Sequence, residues 1–317
     1  MIMGCKMGIG YIIGLSLFLI AVAVVLLIYG IRIKTDNVLL RNISNKKYFN
    51  ESDWQIVWQD NFETLDRTMW KFNAHKNGKR NAGYYVDDEK HIFTQGGYLY
   101  IRTTWEENGK YGAGFYTGWL ETAKTRYTDN YDYPEPDNWL GFNQKFGYFE
   151  IRCKCPAAEG IWSAFWLLPE NTKALSEDDE LGTGKDGVEI DIMESAFYRE
   201  KLSKVQHVIH ADYNATHAPV SAHSQGYLLD DMYHEFHTYA LEWNEKEYIF
   251  YVDGIETWRT DHYNGTSLVE QYLILSVEVG NDNVSWAGDP NHNDKSKCYD
   301  FVIDYIKVMK KRDCVDE

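Results

Sequence analysis

The sequence predicts an all-β fold arranged as one β-sandwich, and three observations support this. Short apolar runs with strand character recur through most of the chain, such as GYLYIRT at 97–103 and QYLILSVEV at 271–279. Asp253 and Gly254 separate two such runs, and this dipeptide is typical of a tight hairpin turn. Outside the N-terminal segment the sequence has no long run with helical periodicity, and it has no internal repeat. Together these features favour one sandwich domain over residues 53–312.

The N-terminal segment differs from the rest of the chain. Residues 8–31 form an uncharged run of 24 positions, which is long enough to cross a bilayer. Arg32 and Lys34 follow without a small-residue cleavage site, which favours an uncleaved anchor over a secretory signal peptide. We therefore expect residues 1–35 to form a transmembrane helix, with a signal peptide as the alternative, and the polar residues 36–52 to form a linker.

Composition excludes some partners. The formal net charge of −16 makes nucleic acid a poor partner, because its phosphates reward Lys and Arg. Aromatic residues make up 15% of the chain, more than a sandwich core needs, so we expect some of the rings to line a groove and stack on sugars. No His/Cys cluster has the spacing of a zinc site, so no metal is predicted.

The cysteines leave their pairing open. Five cysteines are too few for a disulfide scaffold. Cys153 and Cys155 share a face of one predicted strand, and Cys298 and Cys314 flank the last strand. Outside the cell a bridge between the two groups is an alternative to free thiols, and the sequence does not decide between them.

Three carboxylates in the segment GVEIDIMES are the candidate catalytic residues. Glu189 and Asp191 are two residues apart and therefore share one face of a strand. Glu194 is at an odd offset, but one β-bulge near Ile192 and Met193 would return it to that face. The residues between the acids are apolar, which indicates a strand buried on its other face, whereas a solvated acidic edge is the structural alternative.

Paired carboxyl groups at this spacing suit glycosidic bond cleavage. With one residue bulged out, Glu189 and Glu194 are about four strand steps apart, or roughly 13 Å between Cα atoms. Their side chains would then leave a gap near 5 Å, which fits the retaining mechanism better than the inverting one. Asp191 lies between them, where it can hydrogen-bond to the nucleophile and help to separate the two pKa values.

The acidic segment resembles the bulged E-x-D-x-x-E signature of glycoside hydrolase family 16. The likeness continues in order along the chain, over about 250 residues. The matching segments are Trp58–Phe62, Phe149–Arg152 with Gly160–Pro169, His210, Phe236–Tyr239 with Glu242-Trp243, Tyr251–Gly254 and Asp304–Val308.

The resemblance implies a fold, a mechanism and roles for residues. The family has a jelly-roll β-sandwich of the concanavalin A-like kind, with an open cleft, and its members cleave internal bonds with retention. By motif position, Glu189 is the nucleophile, Asp191 its assistant and Glu194 the acid/base.

Four further residues are candidates for substrate binding. Trp162 and Trp166 are four apart on a strand, so they share a face, and the resemblance places such tryptophans beside the sugar cleft. His210 follows the acids on a strand, and Trp286 lies in a loop that could reach the cleft. Packing in the core is the alternative for the two strand tryptophans and for His210.

The sequence also departs from the β-1,3-glucanase-like pattern. Lys185-Asp186 stands where Trp-Pro often precedes the acids, and Glu278 stands in a late strand that is often apolar. Asn61 occupies a position that is often Glu and that, with the Asp matching Asp304, holds a structural calcium in the family. We therefore expect no cofactor, with calcium as the ion that the family leaves open.

The sequence thus predicts a retaining, endo-acting glycoside hydrolase, with β-1,3(4)-glucan as the first choice of substrate. The alternatives are a cell-surface transglycosylase, a hydrolase of agarose or carrageenan, and a non-catalytic sugar-binding sandwich. We expect a monomer in the cell membrane, anchored by a single pass, with its catalytic domain outside the cytoplasm, since a polysaccharide cannot otherwise reach it.

The anchor can be tested directly. About 24 apolar residues at 1.5 Å rise span about 36 Å, enough for a hydrocarbon core of ~30 Å. We expect the mature protein to keep residues 8–31 and to sediment with membranes. N-terminal sequencing that finds a secreted form beginning near residue 35 would instead identify a signal peptide.

Overall fold

The computed structural model describes most of the chain after residue 37. The described residues are 38–39, 43–72, 78–124, 139–170, 184–197, 204–211, 221–224, 227–228, 231–261, 265–281 and 286–312. The predicted anchor over residues 1–35 lies outside them, as do Cys5 and Cys314. Among the described residues no helix is long and apolar enough to cross a membrane.

The described residues form an almost pure β structure. The strands of the first half are β1 Val38–Leu39, β2 Trp54–Asp60, β3 Lys71–Phe72, β4 Lys79–Arg80, β5 Gly83–Tyr85, β6 Ile92–Gln95, β7 Tyr98–Gly109, β8 Gly112–Thr117, β9 Trp119–Glu121 and β10 Asn143–Gln144. Those of the second half are β11 Gly147–Lys154, β12 Ile161–Pro169, β13 Glu189–Ala196, β14 Lys204–His210, β15 Ser221–His223, β16 Tyr227–Leu228, β17 His237–Trp243, β18 Tyr248–Val252, β19 Ile255–Thr260, β20 Gln271–Val279 and β21 Cys298–Lys311. Two 3-10 turns, Glu51–Asp53 and Pro290–His292, accompany them.

The strands form two sheets. The ten-stranded sheet has the order β1-β16-β14-β13-β12-β20-β9-β3, with β10 beside β20 and β15 beside β14. The eleven-stranded sheet has the order β19-β18-β17-β11-β21-β7-β8-β5-β4, with β2 beside β21 and β6 beside β7. Neighbouring strands are mostly far apart in sequence, as in a sandwich rather than a chain of hairpins. The prediction of an all-β sandwich is confirmed.

One large apolar core lies between the sheets. On β12, Ile161, Phe165 and Leu167 belong to this core, whereas Trp162 and Trp166 alternate with them and face the other way. Period-two alternation therefore decides which side chains of the ten-stranded sheet fill the core and which line its outer face.

The predicted hairpin is confirmed. β18 and β19 pair antiparallel around Asp253 and Gly254. Both turn residues have positive φ, 49° and 71°, as the favoured two-residue hairpin turn requires.

The segment before β2 packs against the domain. The Phe49 ring stacks on Tyr148 with 3.7 Å between centroids. The Phe49 N–H donates to the Gly254 carbonyl at 2.9 Å, and the Glu256 N–H donates to the Lys47 carbonyl at 2.8 Å. Part of the predicted linker 36–52 is therefore held on the outer face of the eleven-stranded sheet.

The cysteines and the residues at the family's calcium position lie away from the three acids. Among the described cysteines, Cys153 on β11 and Cys155 just after it are free, buried thiols, and Cys298 at the start of β21 is a free, exposed thiol. Asp304 forms an ion pair with Arg152, and the Asn61 side chain accepts a hydrogen bond from Gln59 at 2.6 Å. The absence of calcium stays a prediction.

Gly160 turns the chain into β12, which carries Trp162. Its φ is 70°, a conformation that favours glycine, and its N–H donates to the Ala287 carbonyl at 2.8 Å. A Cβ at this position would lie 2.2 Å from the Pro290 nitrogen. Backbone from two loops therefore meets at a point that leaves no room for a side chain.

We expect Gly160→Ala to destabilise the domain more than Gly254→Ala. Gly254 has nearly the same φ, but a Cβ there meets nothing within 4 Å, so its substitution costs only about 1–2 kcal/mol of backbone strain. Gly160→Ala adds the clash, roughly 1–3 kcal/mol more. Urea unfolding of both variants measures the difference in the free energy of unfolding. Equal losses of stability would show that the loop at Pro290 moves aside at little cost and would contradict the prediction.

Candidate active site

The three predicted acids lie on β13, and a β-bulge brings them to one face. Against β12, Asp191 pairs with Trp166 and Met193 with Phe165, so Ile192 is passed over. Against β14, Asp191 pairs with Val208 and Glu194 pairs with Gln206. Ile192 and Met193 of β13 therefore lie opposite one residue of β14, His207. The predicted bulge is confirmed.

The residues between the acids fill the core. Ile190, Ile192 and Met193 are fully buried members of the central cluster. Asp191 is 4% exposed, and Glu189 and Glu194 are half-buried on the outer face of the ten-stranded sheet. We call this outer face the acid face. A solvated acidic edge is excluded, because the strand is central and covered from behind.

The environment of Glu194 favours its protonated form. Burial, the largest effect, raises its pKa, and the charges of Glu189 and Glu278 raise it further. Hydrogen bonds from Gln206 and Trp162 oppose this shift, and the resulting pKa is about 7. Glu194 is therefore able to hold a proton near neutral pH and to release it, which suits an acid/base.

Asp191 is the most enclosed of the three acids. Burial raises its pKa well above the ordinary value, and the neighbouring charges of Glu189 and Glu194 act in the same direction. Its Oδ2 atom has no hydrogen-bond partner among the described residues. The surroundings of Asp191 therefore favour its protonated form more than water does.

His210 lies beside the acids, and its role in binding substrate stays a prediction. It pairs with Glu189 across β13 and β14. Its Nε2 atom lies 3.5 Å from Asp191 Oδ2 and 3.8 Å from Glu189 Oε1. Side-chain oxygen and nitrogen atoms of Glu189, Asp191 and His210 lie within 4.8 Å of one another. Among the described residues, this is the cluster that could hold a metal ion.

The two strand tryptophans share the acid face but differ in surroundings. Trp162 is half-buried, hydrogen-bonds to Glu194, and lies 5.5 Å from the exposed ring of Trp286. Trp166 is 4% exposed, packs edge-to-face on Trp119 and donates to Ser276 at 3.1 Å. The structure brings Trp162 and Trp286 together, while a stacking role for Trp166 stays a prediction.

Sequence reasoning did not find Arg80 and Asn81. Glu278 is 4% exposed and pairs across strands with Trp162. It accepts hydrogen bonds from Arg80 Nε at 3.0 Å and from Asn81 Nδ2 at 2.9 Å. Burial opposes the charge of Arg80, but the carboxylates of Glu278 and Glu189 outweigh it and raise the Arg80 pKa.

Arg80 therefore balances part of the negative charge of the acid face. Its guanidinium also lies 5.0 Å over the ring of Trp119. Arg80 and Glu278 are 198 residues apart, and although the sequence marks Glu278 as an unusual acid in its strand, no local motif marks Arg80 as its partner. Only the fold brings them together.

Comparison with known proteins identifies the family. The profile of glycosyl hydrolases family 16 matches residues 141–307, more than half of the chain and all three acids. The chain belongs to glycosyl hydrolase family 16.

Individual relatives agree with this assignment. A beta-glucanase of Rhodothermus marinus is 25% identical, with 81% of this chain and 85% of the relative covered. Glucan endo-1,3-beta-glucosidase A1 of Niallia circulans is 24% identical over 81% of this chain, which spans only 38% of that relative. The crystal structure of the laminarinase catalytic domain of Thermotoga maritima is 26% identical, with a TM-score of 0.61 over 83% of this chain and all of that one.

The pKa of Glu194 predicts how pH affects stability. Its carboxyl titrates near 4.5 when unfolded and near 7 when folded, so the folded state resists ionisation. Relative to Glu194→Gln, the wild type should therefore lose stability progressively as the pH rises from 4.5 to about 7, with little further change above.

Urea unfolding between pH 4 and 8 measures this difference. Glu89→Gln, which removes an exposed carboxylate, is the matched control for charge. A stability difference between Glu194→Gln and wild type that does not vary with pH would contradict the raised pKa.

Proposed function

We propose that the protein is a retaining, endo-acting hydrolase of internal β-glycosidic bonds, and that its substrate is a β-1,3(4)-glucan. One observation carries the proposal: Glu189 and Glu194 share one face of a bulged strand, and the surroundings of Glu194 raise its pKa to about 7. Retaining catalysis needs this division between a nucleophile and a proton donor. Membership of family 16 supports the same reaction.

The steps follow from these roles. Glu194 donates its proton to the leaving glycosidic oxygen while a Glu189 oxygen attacks the anomeric carbon, which gives a glycosyl ester and a free sugar end. Glu194, now ionised, takes a proton from water as that water attacks the ester. The sugar leaves with its configuration retained, and both carboxyl groups return to their starting states.

Asp191 acts through Glu189. It is buried next to the nucleophile, and burial together with the charges of Glu189 and Glu194 raises its pKa, which favours its protonated form. A protonated carboxyl is able to donate a hydrogen bond to an ionised neighbour, which orients that neighbour and favours its charge. His210 Nε2 lies 3.5 Å from Asp191 Oδ2, on the same face as the acids.

The choice of substrate rests on ring and charge chemistry together with the relatives. The Trp162 and Trp286 rings form a surface beside Glu194 on which a sugar can stack. The acid face is rich in carboxylates, and Arg80 is already paired with Glu278, so a sulfated galactan finds little to bind there. Relatives named for β-glucan hydrolysis support a neutral gluco-configured polymer.

For the location of the enzyme, the proposal rests on its N-terminal segment. The uncharged residues 8–31 would fix the protein in the membrane with its domain outside the cytoplasm. An anchored hydrolase keeps its products near the cell, which suits either nutrient capture or remodelling of the cell's own glycan.

Glu189→Gln should abolish turnover while the domain stays folded. The amide is nearly isosteric with the carboxylate but cannot form the glycosyl ester, so we expect a loss of at least about 10³-fold in kcat. Glu89→Gln should be as active as wild type. The measurement is release of oligosaccharides by residues 36–317 from laminarin, mixed-linkage glucan, xyloglucan, agarose and carrageenan.

Each outcome of this assay has a meaning. Cleavage of laminarin or mixed-linkage glucan with retained configuration supports the proposal. Cleavage of carrageenan or agarose alone would overturn the proposal of a β-glucan substrate. Products longer than the starting oligosaccharides would indicate transglycosylation. Binding of a polysaccharide without any products would indicate a sugar-binding protein. An active, folded Glu189→Gln variant would remove Glu189 from its role.

A further inference from the structure

The bulge in β13 interrupts the backbone pairing with β14 near the Ile192 carbonyl, and a side chain contacts this carbonyl instead. Where the ladder passes over Ile192, the backbone of β13 no longer pairs regularly with β14. The Ile192 carbonyl lies 2.7 Å from the Nδ1 atom of His207. His207 is the residue between Val208 and Gln206, and so it stands directly opposite the bulge.

The protons of this contact can be assigned. A carbonyl only accepts, so Nδ1 of His207 carries the hydrogen. Burial, the largest effect, lowers the pKa of His207 to about 4 although the Ile192 contact opposes it, so the ring is neutral at pH 7. Nε2 is then the ring's acceptor atom, and its neighbour at 2.9 Å is the Thr257 hydroxyl, which also donates to the Phe250 carbonyl at 3.0 Å.

His207 also reaches across the core. Its side chain is 0% exposed and faces the core, beside Val205 and Ile209 of its own strand. Its ring stacks on Phe250 of β18 with 4.8 Å between centroids, and Thr257 belongs to β19. The ring thus ties the bulge of the ten-stranded sheet to the edge of the eleven-stranded sheet.

The neighbouring residue holds the bulge from the opposite side. Gln206 faces the acid face, where its Nε2 atom donates to Glu194 Oε2 at 3.2 Å. Gln206 and His207 therefore both contact β13 at the bulge. Gln206 contacts the Glu194 side chain, and His207 contacts the Ile192 carbonyl.

We propose that His207 is a positioning residue, which sets the distance between the carboxyl groups of Asp191 and Glu194 by fixing the bulge that separates them. It touches no substrate and acts through the backbone of Ile192. Its catalytic consequence rests on the function proposed above, but its effect on the geometry of Glu194 does not.

Two substitutions separate positioning from packing. The Asn amide nitrogen occupies the place of histidine Nδ1, so His207→Asn keeps a donor for the Ile192 carbonyl. His207→Gln carries its amide to the place of Nε2 and loses that donor. Both variants remove the ring from Phe250, and Asn removes more volume, so packing alone predicts that His207→Asn is the more damaged of the two.

We expect the reverse order for catalysis. His207→Gln should lower kcat on laminarin by roughly 10²-fold, the loss that a misplacement of ~1 Å produces, with KM little changed. His207→Asn should recover most of that loss. Thr257→Val, which removes the second contact but leaves the Ile192 bond, should lose stability in urea while keeping kcat.

A second measurement does not depend on activity. Titration of Glu194 followed by carbon NMR should show a changed pKa in His207→Gln and nearly the wild-type pKa in His207→Asn. The groups that act on Glu194 are otherwise the same in both variants, namely Glu189, Glu278, Gln206 and Trp162.

The outcomes are distinguishable. Equal kcat losses and equal Glu194 titrations in the two variants, or greater damage in His207→Asn, would make His207 a packing residue and overturn the inference. A wild type that cleaves no glucan would overturn the proposed function, and the Glu194 titrations would still decide the role of His207.

Discussion

The parity of a β-strand is the constraint on which the site depends. Side chains alternate between faces, so acids five residues apart on a regular strand point in opposite directions. In this protein that geometry would bury Glu194 in the core, where an isolated carboxylate is very costly. The extra residue at Ile192 and Met193 reverses the phase once, between Asp191 and Glu194. Asp191 and Glu194 then share the acid face, and the apolar residues of β13 remain in the core.

The bulge has a cost that neighbouring elements offset. Two residues face one across the ladder, and regular pairing is lost at that point. His207 contacts the Ile192 carbonyl from the core side of β14, and Gln206 donates to the Glu194 side chain from the acid face. The charges on the acid face need a similar compensation. Part of it comes from Arg80, which arrives from an edge strand of the other sheet to meet Glu278.

Sequence reasoning reached those features that depend on short spacing. The bulge and the shared face of Trp162 and Trp166 follow from period-two alternation over a few residues, and the hairpin follows from the Asp253-Gly254 dipeptide. It did not reach Arg80 or the role of His207. Arg80 is far from Glu278 in the chain, and His207 has the sequence context of any core position on a strand. Their functions come from sheet order, which alternation along one strand does not specify.

The boundary of the domain is a second case of this kind. A polar stretch before Trp54 favours a linker, yet Val38–Leu39 adds a strand beside β16, at the edge of the sheet that carries the acids. Phe49 then packs on Tyr148 on the outer face of the opposite sheet. Residues 38–39 therefore contact one sheet, and residues 47–49 contact the other. A fragment cut at residue 53 would lose both contacts, uncover Tyr148 and leave β16 without its partner β1, so a recombinant version of the domain is best begun before residue 38.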